Sequence, residues 1–433
     1  MTPEIEKRIK AVQAGRVPAG YKKTKVGIVP KEWGEVRFHD MFSRVVRKNK
    51  EGNTNVLTIS AQYGLINQNE FFNKAVASDD KSNYYLMEKG EFAYNKSYSN
   101  GYPFGALKRL DFYDKGIVSP LYICFAASEN NQCPDFYVHY FEAGLMNKEI
   151  QAFAQEGARN HGLLNISVDD FFNSNLLNPP LSEQKKIAEI LATQDRVIEL
   201  KEKLIAEKQS QKKYLMSVLL GDDFKKPFKL NGVTIDKTKW EKKKLQNIIK
   251  LQGGFAFPSN QFKSYGVPVV RISNIENDEV ILRDVVCFDS DGISKEFRLN
   301  FGDMVIAMSG ATTGKIGVYK YETPSYINQR VGKFIPISKN FDYQFLIQFC
   351  KSFSFSNQLK LLLATGAQPN ISSNDIENML LRLPTFLEQK AIADVLSAAD
   401  EEISLLQKGL EQEKLKKKSL MQLLLTGLVR VNE

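Results

Sequence analysis

The chain has 433 residues, 43% hydrophobic and 11% aromatic, with 59 Lys+Arg against 50 Asp+Glu and a formal net charge of +9. This exceeds one ordinary core, is too apolar for a disordered chain, and favours a polyanionic partner, so two or three domains and a nucleic-acid role are expected. Cys124, Cys133, Cys287 and Cys350 form no CxxC pair, and His39, His139 and His161 cluster with none of them at zinc-ligand spacing. The reading is therefore no metal site and a reducing, cytoplasmic setting. The charged start Met1-Thr2-Pro3-Glu4 predicts no signal peptide, and no run approaches the ~18 uncharged apolar residues of a membrane span.

Residues 1–26 form an N-terminal segment with a predicted helix from about Pro3 to Ala14. Its end, Ala14-Gly15-Arg16-Val17, resembles Thr426-Gly427-Leu428-Val429 near the C-terminus. This predicts either that the two terminal segments lie side by side, as in a circular repeat, or an ordinary capping helix.

Residues 27–180 read as a globular domain of mixed α and β character. Strand-like runs include Val56-Leu57-Thr58-Ile59 and Leu121-Tyr122-Ile123-Cys124-Phe125. Gly90-Glu91-Phe92-Ala93-Tyr94-Asn95 empties into a hydroxyl-rich loop, and Lys96, Ser97, Tyr98 and Asn100 become candidate DNA contacts. Ser60, Gln62, Tyr63, Arg159 and Asn160 join them as polar or aromatic groups near strand ends. The run Arg44-Val45-Val46-Arg47-Lys48-Asn49-Lys50 suits phosphate contact.

Residues 181–221 form a long helix, with Ser182 as the expected N-cap and Gly221 as the stop. At 1.5 Å per residue it measures about 58 Å. The apolar pairs Ile190-Leu191, Val197-Ile198, Leu204-Ile205 and Val218-Leu219 follow a seven-residue beat, which predicts a coiled-coil seam. At Gln211-Lys212 the beat fails. The failure is either a solvated face or an opening for water or another chain.

Residues 222–384 repeat the globular pattern. Val267-Pro268-Val269-Val270 and Asp303-Met304-Val305-Ile306-Ala307 read as strands. Gly302-Asp303 opens a strand that empties into Met308-Ser309-Gly310-Ala311-Thr312-Thr313-Gly314-Lys315. Ser309, Thr312, Thr313 and Lys315 are candidate contacts there, with Arg271, Ser273, Asn274, Asn328, Gln329, Arg330 and Gln368 nearby in sequence pattern. Lys242-Lys243-Lys244 also suits phosphate. Residues 385–427 form a second long helix with its own polar break at Lys416-Lys417, and 428–433 form a tail.

The two halves are copies. Glu183-Gln184 and Glu388-Gln389 lie 205 positions apart, an offset that also relates Asp195 to Asp400, Ile198 to Ile403, Lys212 to Lys417 and Asn165-Ile166-Ser167 to Asn370-Ile371-Ser372. The two tryptophans, Trp33 and Trp240, lie 207 apart at the front of each half. The expected architecture is two similar α/β (mixed α+β) domains separated by two long antiparallel coiled-coil helices with a pseudo-two-fold internal repeat. Ile198, Leu204, Ile205, Ile403 and Leu410 are the candidate docking residues along the helices.

Two motifs invite catalytic readings and fail. Gly310-Ala311-Thr312-Thr313-Gly314-Lys315-Ile316 is one residue short of a P-loop, with Ile316 where a hydroxyl is needed. Asn178-Pro179-Pro180-Leu181 resembles the Asn-Pro-Pro-aromatic loop of DNA adenine methyltransferases without the aromatic. No catalytic residue or metal ligand is assigned. A stand-alone adenine methyltransferase and a coiled-coil scaffold without DNA remain the alternatives.

On Lys31-Glu32-Trp33, Gly302-Asp303, Gln368-Pro369-Asn370-Ile371-Ser372 and the two Pro…Glu-Gln helix openings, the chain resembles the specificity (S) subunits of type I restriction–modification enzymes. The resemblance implies two target-recognition domains, each reading one half of a split double-stranded DNA sequence. It implies that the helices dock two methyltransferase subunits, with restriction subunits joining for cleavage. S-adenosylmethionine, ATP and Mg would belong to those partners, and none to this chain. The first half departs from the pattern, with Glu91 for the Asp and Gly157-Ala158-Arg159-Asn160-His161-Gly162 for the compact Gly-Ala-Gln-Pro.

Overall fold

The computed structural model describes residues 2–60, 63–72, 81–98, 101–128, 132–156, 164–221, 226–289, 293–364 and 370–431. The chain forms two compact units: Met1–Glu202 with Gly409–Glu433, and Lys203–Lys408.

In the first unit a four-stranded antiparallel sheet runs in the order Phe42–Val45, Ile123–Ala127, Phe92–Asn95, Ala106–Arg109. Its inner face carries Phe42, Phe92 and Phe125, which pack on Phe136, Tyr137 and Phe141 of the helix Pro134–Glu142. Phe92 and Phe125 stack at 5.3 Å. The same core takes in Ile187, Ala188 and Leu191 from the first long helix, Met421 and Leu424 from the second, and Leu425 just past its end.

The second unit holds a six-stranded sheet in the order Ile249–Gly253, Val331–Pro336, Met304–Ala307, Ile316–Val318, Asp278–Val280, Ile275–Glu276. A four-stranded sheet beside it includes the parallel pair Val267–Val270 and Ser325–Ile327. The β-branched runs that predicted these strands fill them, with Val305 and Ile306 fully buried.

In both units a two-stranded ribbon ties the start of the globular part to its end. Gly34 pairs with Asn178, and Glu241 with Leu383. The register sets each tryptophan, one residue before its strand, against the opening of a long helix. Trp33 Nε1 donates to Glu183 Oε2 at 2.9 Å, and Trp240 Nε1 to Glu388 Oε1 at 3.1 Å. The neighbouring glutamines repeat the pattern. Gln184 Oε1 accepts Cys133 N and its Nε2 donates to Pro179 O (2.9 and 2.8 Å), while Gln389 does the same with Asp342 N and Pro384 O, both 2.9 Å.

The long helices span Leu181–Leu220 and Phe386–Leu424. The first begins at Leu181, with Gln184 N bonded to Pro180 O, so Ser182 lies inside the first turn instead of capping it. Proline at the cap fixes the turn and offers no N–H. Within the first unit, Lys417 meets Asp195 at 2.5 Å and Lys414 meets Glu202 at 3.0 Å, so the two helical segments run antiparallel. Within the second, Lys212 bonds Asp400 and Lys208 meets Glu402 at 2.7 Å, again antiparallel. At each break one residue, Gln211 or Lys416, is solvated, while the other, Lys212 or Lys417, crosses to an aspartate that the repeat itself supplies. The terminal segments lie side by side, with Arg8 donating to Leu428 O at 3.0 Å and Tyr21 Oη to Gly427 O at 2.6 Å.

Asp400 gathers Lys212, Lys351 and Gln348. Burial works to raise its carboxyl, but Lys351 and Lys212 outweigh it and hold it below the usual carboxylate range. Asp400→Ala leaves the half-buried Lys212 without its anion and Lys351 with Asp278 alone, and is expected to cost about 1–3 kcal/mol, measured by chemical denaturation. Because the folded-state carboxyl is depressed, this contribution is present above the unfolded value of about 3.9 and vanishes as pH falls through the lower folded value. The wild-type and variant denaturation curves should therefore converge only in strong acid.

Candidate nucleic-acid interface

In the second unit, three chain segments meet at the open end of the strand Met304–Ala307. Met308 N donates to Arg330 O and Ile371 N to Met308 O, both at 2.9 Å, and Ser309 bridges to Asn370. They frame an open cleft of about 760 Å³ lined by Met308, Ser309, Gly310, Gln329, Arg330, Asn370 and Ile371. Ser309, Gln329 and Arg330, expected from sequence, therefore come together. Gln329 and Arg330 are exposed, while the Ser309 hydroxyl is buried with no partner among the described residues. Asn370 and Ile371 are cleft residues that the sequence reading used only as a repeat marker.

The loop 308–315 is the tip of a hairpin. Ala307 and Lys315 pair at 2.8 Å, Gly314 N returns to Ala307 O, and Ile316 is buried in the next strand. A phosphate-cradling strand-to-helix turn is absent here, which removes the P-loop reading. Thr312 Oγ1 donates to Ile272 O and Thr313 Oγ1 to Gly310 O, so both hydroxyls brace the loop. Lys315 is exposed at its end, beside a second cleft of about 320 Å³ that includes Asn277, Asp278 and Lys351.

The remaining candidates divide by burial. Asn274 is 4% exposed, accepts Arg271 N and donates to Ile281 O and Arg283 O. That side chain is consumed in shaping its own turn. Arg271 reaches Asp284 O at 3.3 Å, Ser273 is exposed, and Asn328 is half-buried in the turn that presents Gln329 and Arg330. Gln368 lies outside the described residues, as do Gln62, Asn100, Arg159 and Asn160.

In the first unit the corresponding strand Phe92–Asn95 also empties beside its Asn-Ile-Ser segment. Leu164 N donates to Lys96 O at 3.0 Å and Lys96 Nζ to Ile166 O at 3.3 Å. Burial lowers the Lys96 ammonium below its ordinary value. Ser97 is half-buried, whereas Tyr98 and Tyr63 are 62% and 63% exposed. Ser60 is 5% exposed and accepts Tyr63 N, which makes it the brace of a turn that shows Tyr63 to solvent. Of the basic run, Arg47 is held by Glu91 and Lys48 by Asn83 O, leaving Arg44 and Lys50 exposed. Glu91 performs the duty of Asp303: it accepts Glu88 N as Asp303 accepts Asn300 N, both at 2.8 Å. In the Lys242–Lys244 run, Lys244 donates to Asn378 and Lys243 pairs with Glu241, leaving Lys242 exposed.

Of the docking candidates, Ile205, Ile403 and Leu410 are 7%, 9% and 9% exposed, so their surface is already spent within this chain. Ile198 is half-buried and Leu204 is 39% exposed. Besides Leu204, open apolar positions on the helices include Leu200 and Leu405, one repeat apart, with Tyr214 and Leu415. Asn178 Oδ1 accepts Gln184 Nε2 at 2.8 Å, which ties the Asn-Pro-Pro segment into the helix start and leaves no base-stacking site there. Among the described residues no His, Cys, Asp or Glu group could hold a metal ion, and no helix is long and apolar enough to cross a membrane.

The family described as type I restriction modification DNA specificity domain matches this chain twice, over residues 30–208 and 237–415. The type I restriction enzyme MjaVIII specificity subunit of Methanocaldococcus jannaschii is 33% identical over 73% of this chain and 75% of its own length. The putative MjaX specificity subunit of the same organism is 26% identical over 95% and 97%. The type I restriction–modification S subunit from M. genitalium shares the fold, with a TM-score of 0.57 at 14% identity over 90% of this chain and 96% of that one. A chain from a structure of type I R-M complex assembly and conformational transition gives 0.54 at 17% identity over 93% and 99%.

Gly314 has φ +85°, and a Cβ there would lie 2.3 Å from Leu359 Cδ2. Gly314→Ala is expected to destabilise the hairpin by about 1–3 kcal/mol. Amide hydrogen exchange across 304–318 should accelerate, with the amides of the first unit unchanged.

Proposed function

The chain belongs to the type I restriction–modification DNA specificity family, and from that membership we propose how its parts divide the work. It is the specificity subunit, and each globular domain reads one half of a bipartite double-stranded DNA target. The observation that carries this is the pair of equivalent strand ends with different loops, Lys96-Ser97-Tyr98 in one and Met308 to Lys315 in the other. Equivalent position gives the same mode of approach, and unlike side chains give unlike half-sites. In the second domain, Arg330 and Gln329 carry the forked donors and amides that match base edges, and Lys315 supplies a phosphate contact. In the first, Tyr63 and Tyr98 supply exposed aromatic surface.

The chemistry is assigned to partners. Methyltransferase subunits, two by the repeat, bring S-adenosylmethionine, and restriction subunits bring ATP and Mg. The setting is the cytoplasm, where the DNA substrate lies. Leu200 and Leu405, 49% and 61% exposed at the same repeat position, suit methyltransferase docking better than the buried seam residues.

Arg330→Ala should weaken discrimination at one base pair by about 1–3 kcal/mol and leave the other half-site untouched. Lys315→Ala should weaken binding to all sequences and shallow the salt dependence by about one contact. Both are read from methylation of DNA libraries randomised in either half-site. Equal loss of discrimination at the two half-sites in Arg330→Ala would sink the one-domain, one-half assignment. For docking, Leu200→Glu with Leu405→Glu should prevent co-purification of methyltransferase subunits without lowering the melting temperature. Retained assembly argues against this face.

A further inference from the structure

The loops of the two domains differ, but two of their residues do not. Ser97 and Ser309 each stand two positions beyond the strand, Phe92–Asn95 or Met304–Ala307. Asn165 and Asn370 each open the Asn-Ile-Ser segment beside it. Two members of that segment have structural duties in both copies. Ile166 and Ile371 are buried, at 3% and 5% exposure. Ser167 and Ser372 cap short helices by accepting Asp170 N and Asp375 N. The asparagines have no such duty. Both are exposed, and neither side chain takes a hydrogen bond among the described residues.

Both lie beside the end of the equivalent strand, at different registers. Asn370 bridges to Ser309 and lines the cleft with Arg330 and Gln329. In the first domain the junction forms two residues earlier, at Leu164 N to Lys96 O. That shift preserves the face and moves Asn165 roughly 7 Å along the strand direction. The Ser309 hydroxyl, buried and unpartnered among the described residues, leaves the wall of the cleft one hydrogen bond short.

Two domains that read different half-sites must still dock on the same backbone. Residues that differ between the copies carry the sequence; residues that agree hold what the half-sites share. Resting on the DNA-reading function above, we infer that Asn370 and Asn165 are repeated anchors for the phosphodiester backbone. Each donates a side-chain amide to a phosphate oxygen and sets the register at which its neighbours meet base edges. Ser309 stands across the bridge from Asn370. An uncharged amide suits this duty, because it fixes position without adding to non-specific electrostatic binding.

The test uses the full chain with its methyltransferase partners. The probe is a duplex bearing the methylated sequence found by modified-base sequencing of cells that carry the gene, together with single-base variants of each half-site. Asn370→Ala should lower affinity about three- to tenfold for the cognate duplex and for every second-half variant alike, as expected for one net hydrogen bond. The ranking of sequences, the salt slope and the melting temperature should not move. Asn165→Ala should reproduce this through the first half. A loss confined to one base pair would make Asn370 a base reader and overturn the anchor. A lowered melting temperature would make the asparagine structural and overturn it equally. Full affinity in Asn370→Ala beside weakened Arg330→Ala overturns the anchor alone. Full affinity in both overturns the DNA-reading of the cleft as well.

Discussion

Each globular domain is fastened to the helices through one buried carboxylate and the amide next to it. Glu183 and Gln184 are 4% and 0% exposed, and Glu388 and Gln389 are 5% and 1%. A carboxylate so placed is costly unless its lone pairs are filled. The two copies fill them differently. Glu388 accepts Trp240 Nε1, Asp236 N, Thr385 N and Thr385 Oγ1. Burial pushes its carboxyl up, but those bonds more than offset the push and leave it below its ordinary value. Glu183 sits three residues after a proline that has no N–H to give, and it takes Arg430 instead, through two bonds of 2.7 and 2.9 Å. Where the second copy has a threonine to fill the carboxylate, the first has a proline, and the C-terminal segment supplies the counter-ion.

The same sites also collect the far ends of the helices. Lys237, 3% exposed, donates to Val218 O and Gly221 O, the carbonyl end of the first long helix, at 2.5 Å each. A cation there satisfies orphan carbonyls and complements the helix dipole. In the first unit, Tyr21 and Arg8 take Gly427 O and Leu428 O just past the end of the second long helix. Every unit therefore holds the start of one long helix and the end of the other. Such an arrangement is satisfied only by antiparallel segments, and the crossed pairs Lys212–Asp400 and Lys417–Asp195 fix the register at which they run. Slippage along the helices by one heptad would separate both pairs and strand the mostly buried Lys212 and Lys417, which is a stronger statement of register than the leucines alone could make.

The duplication, the long helices and the mixed domains were legible because each is a periodic or repeated signal. Less visible was the reason for the broken beat. Asp195/Asp400 and Lys212/Lys417 could be matched by offset, yet one sequence does not say which lysine crosses to which aspartate; that follows only from antiparallel pairing. The seam residues were read as docking surface because an apolar beat looks the same whether it is covered by its own chain or by another. Ile205 and Leu410 are covered, and Leu200 and Leu405 are open. Within the site, Ser60 and Asn274 were picked for polarity, a property shared by turn braces and base readers. Burial and committed hydrogen bonds separate the two, and neither is written in composition.

A single physical distinction organises the polar residues of both domains: whether the fold has already used their donors or acceptors. Glu91 and Asp303 close equivalent turns, Arg47 and Lys48 serve neighbouring groups, and Thr312 and Thr313 brace a hairpin. Gln329, Arg330, Lys315 and the repeated asparagines stand exposed at the ends of that framework. Changes at these exposed positions would leave the hydrogen bonds of the fold intact. The clamp at the helix openings demands the opposite, since its donors and acceptors are matched one to one in the interior. A protein built this way can vary what it reads while the machinery that holds its reading domains stays fixed. The split falls along the line between spent and unspent hydrogen-bonding capacity.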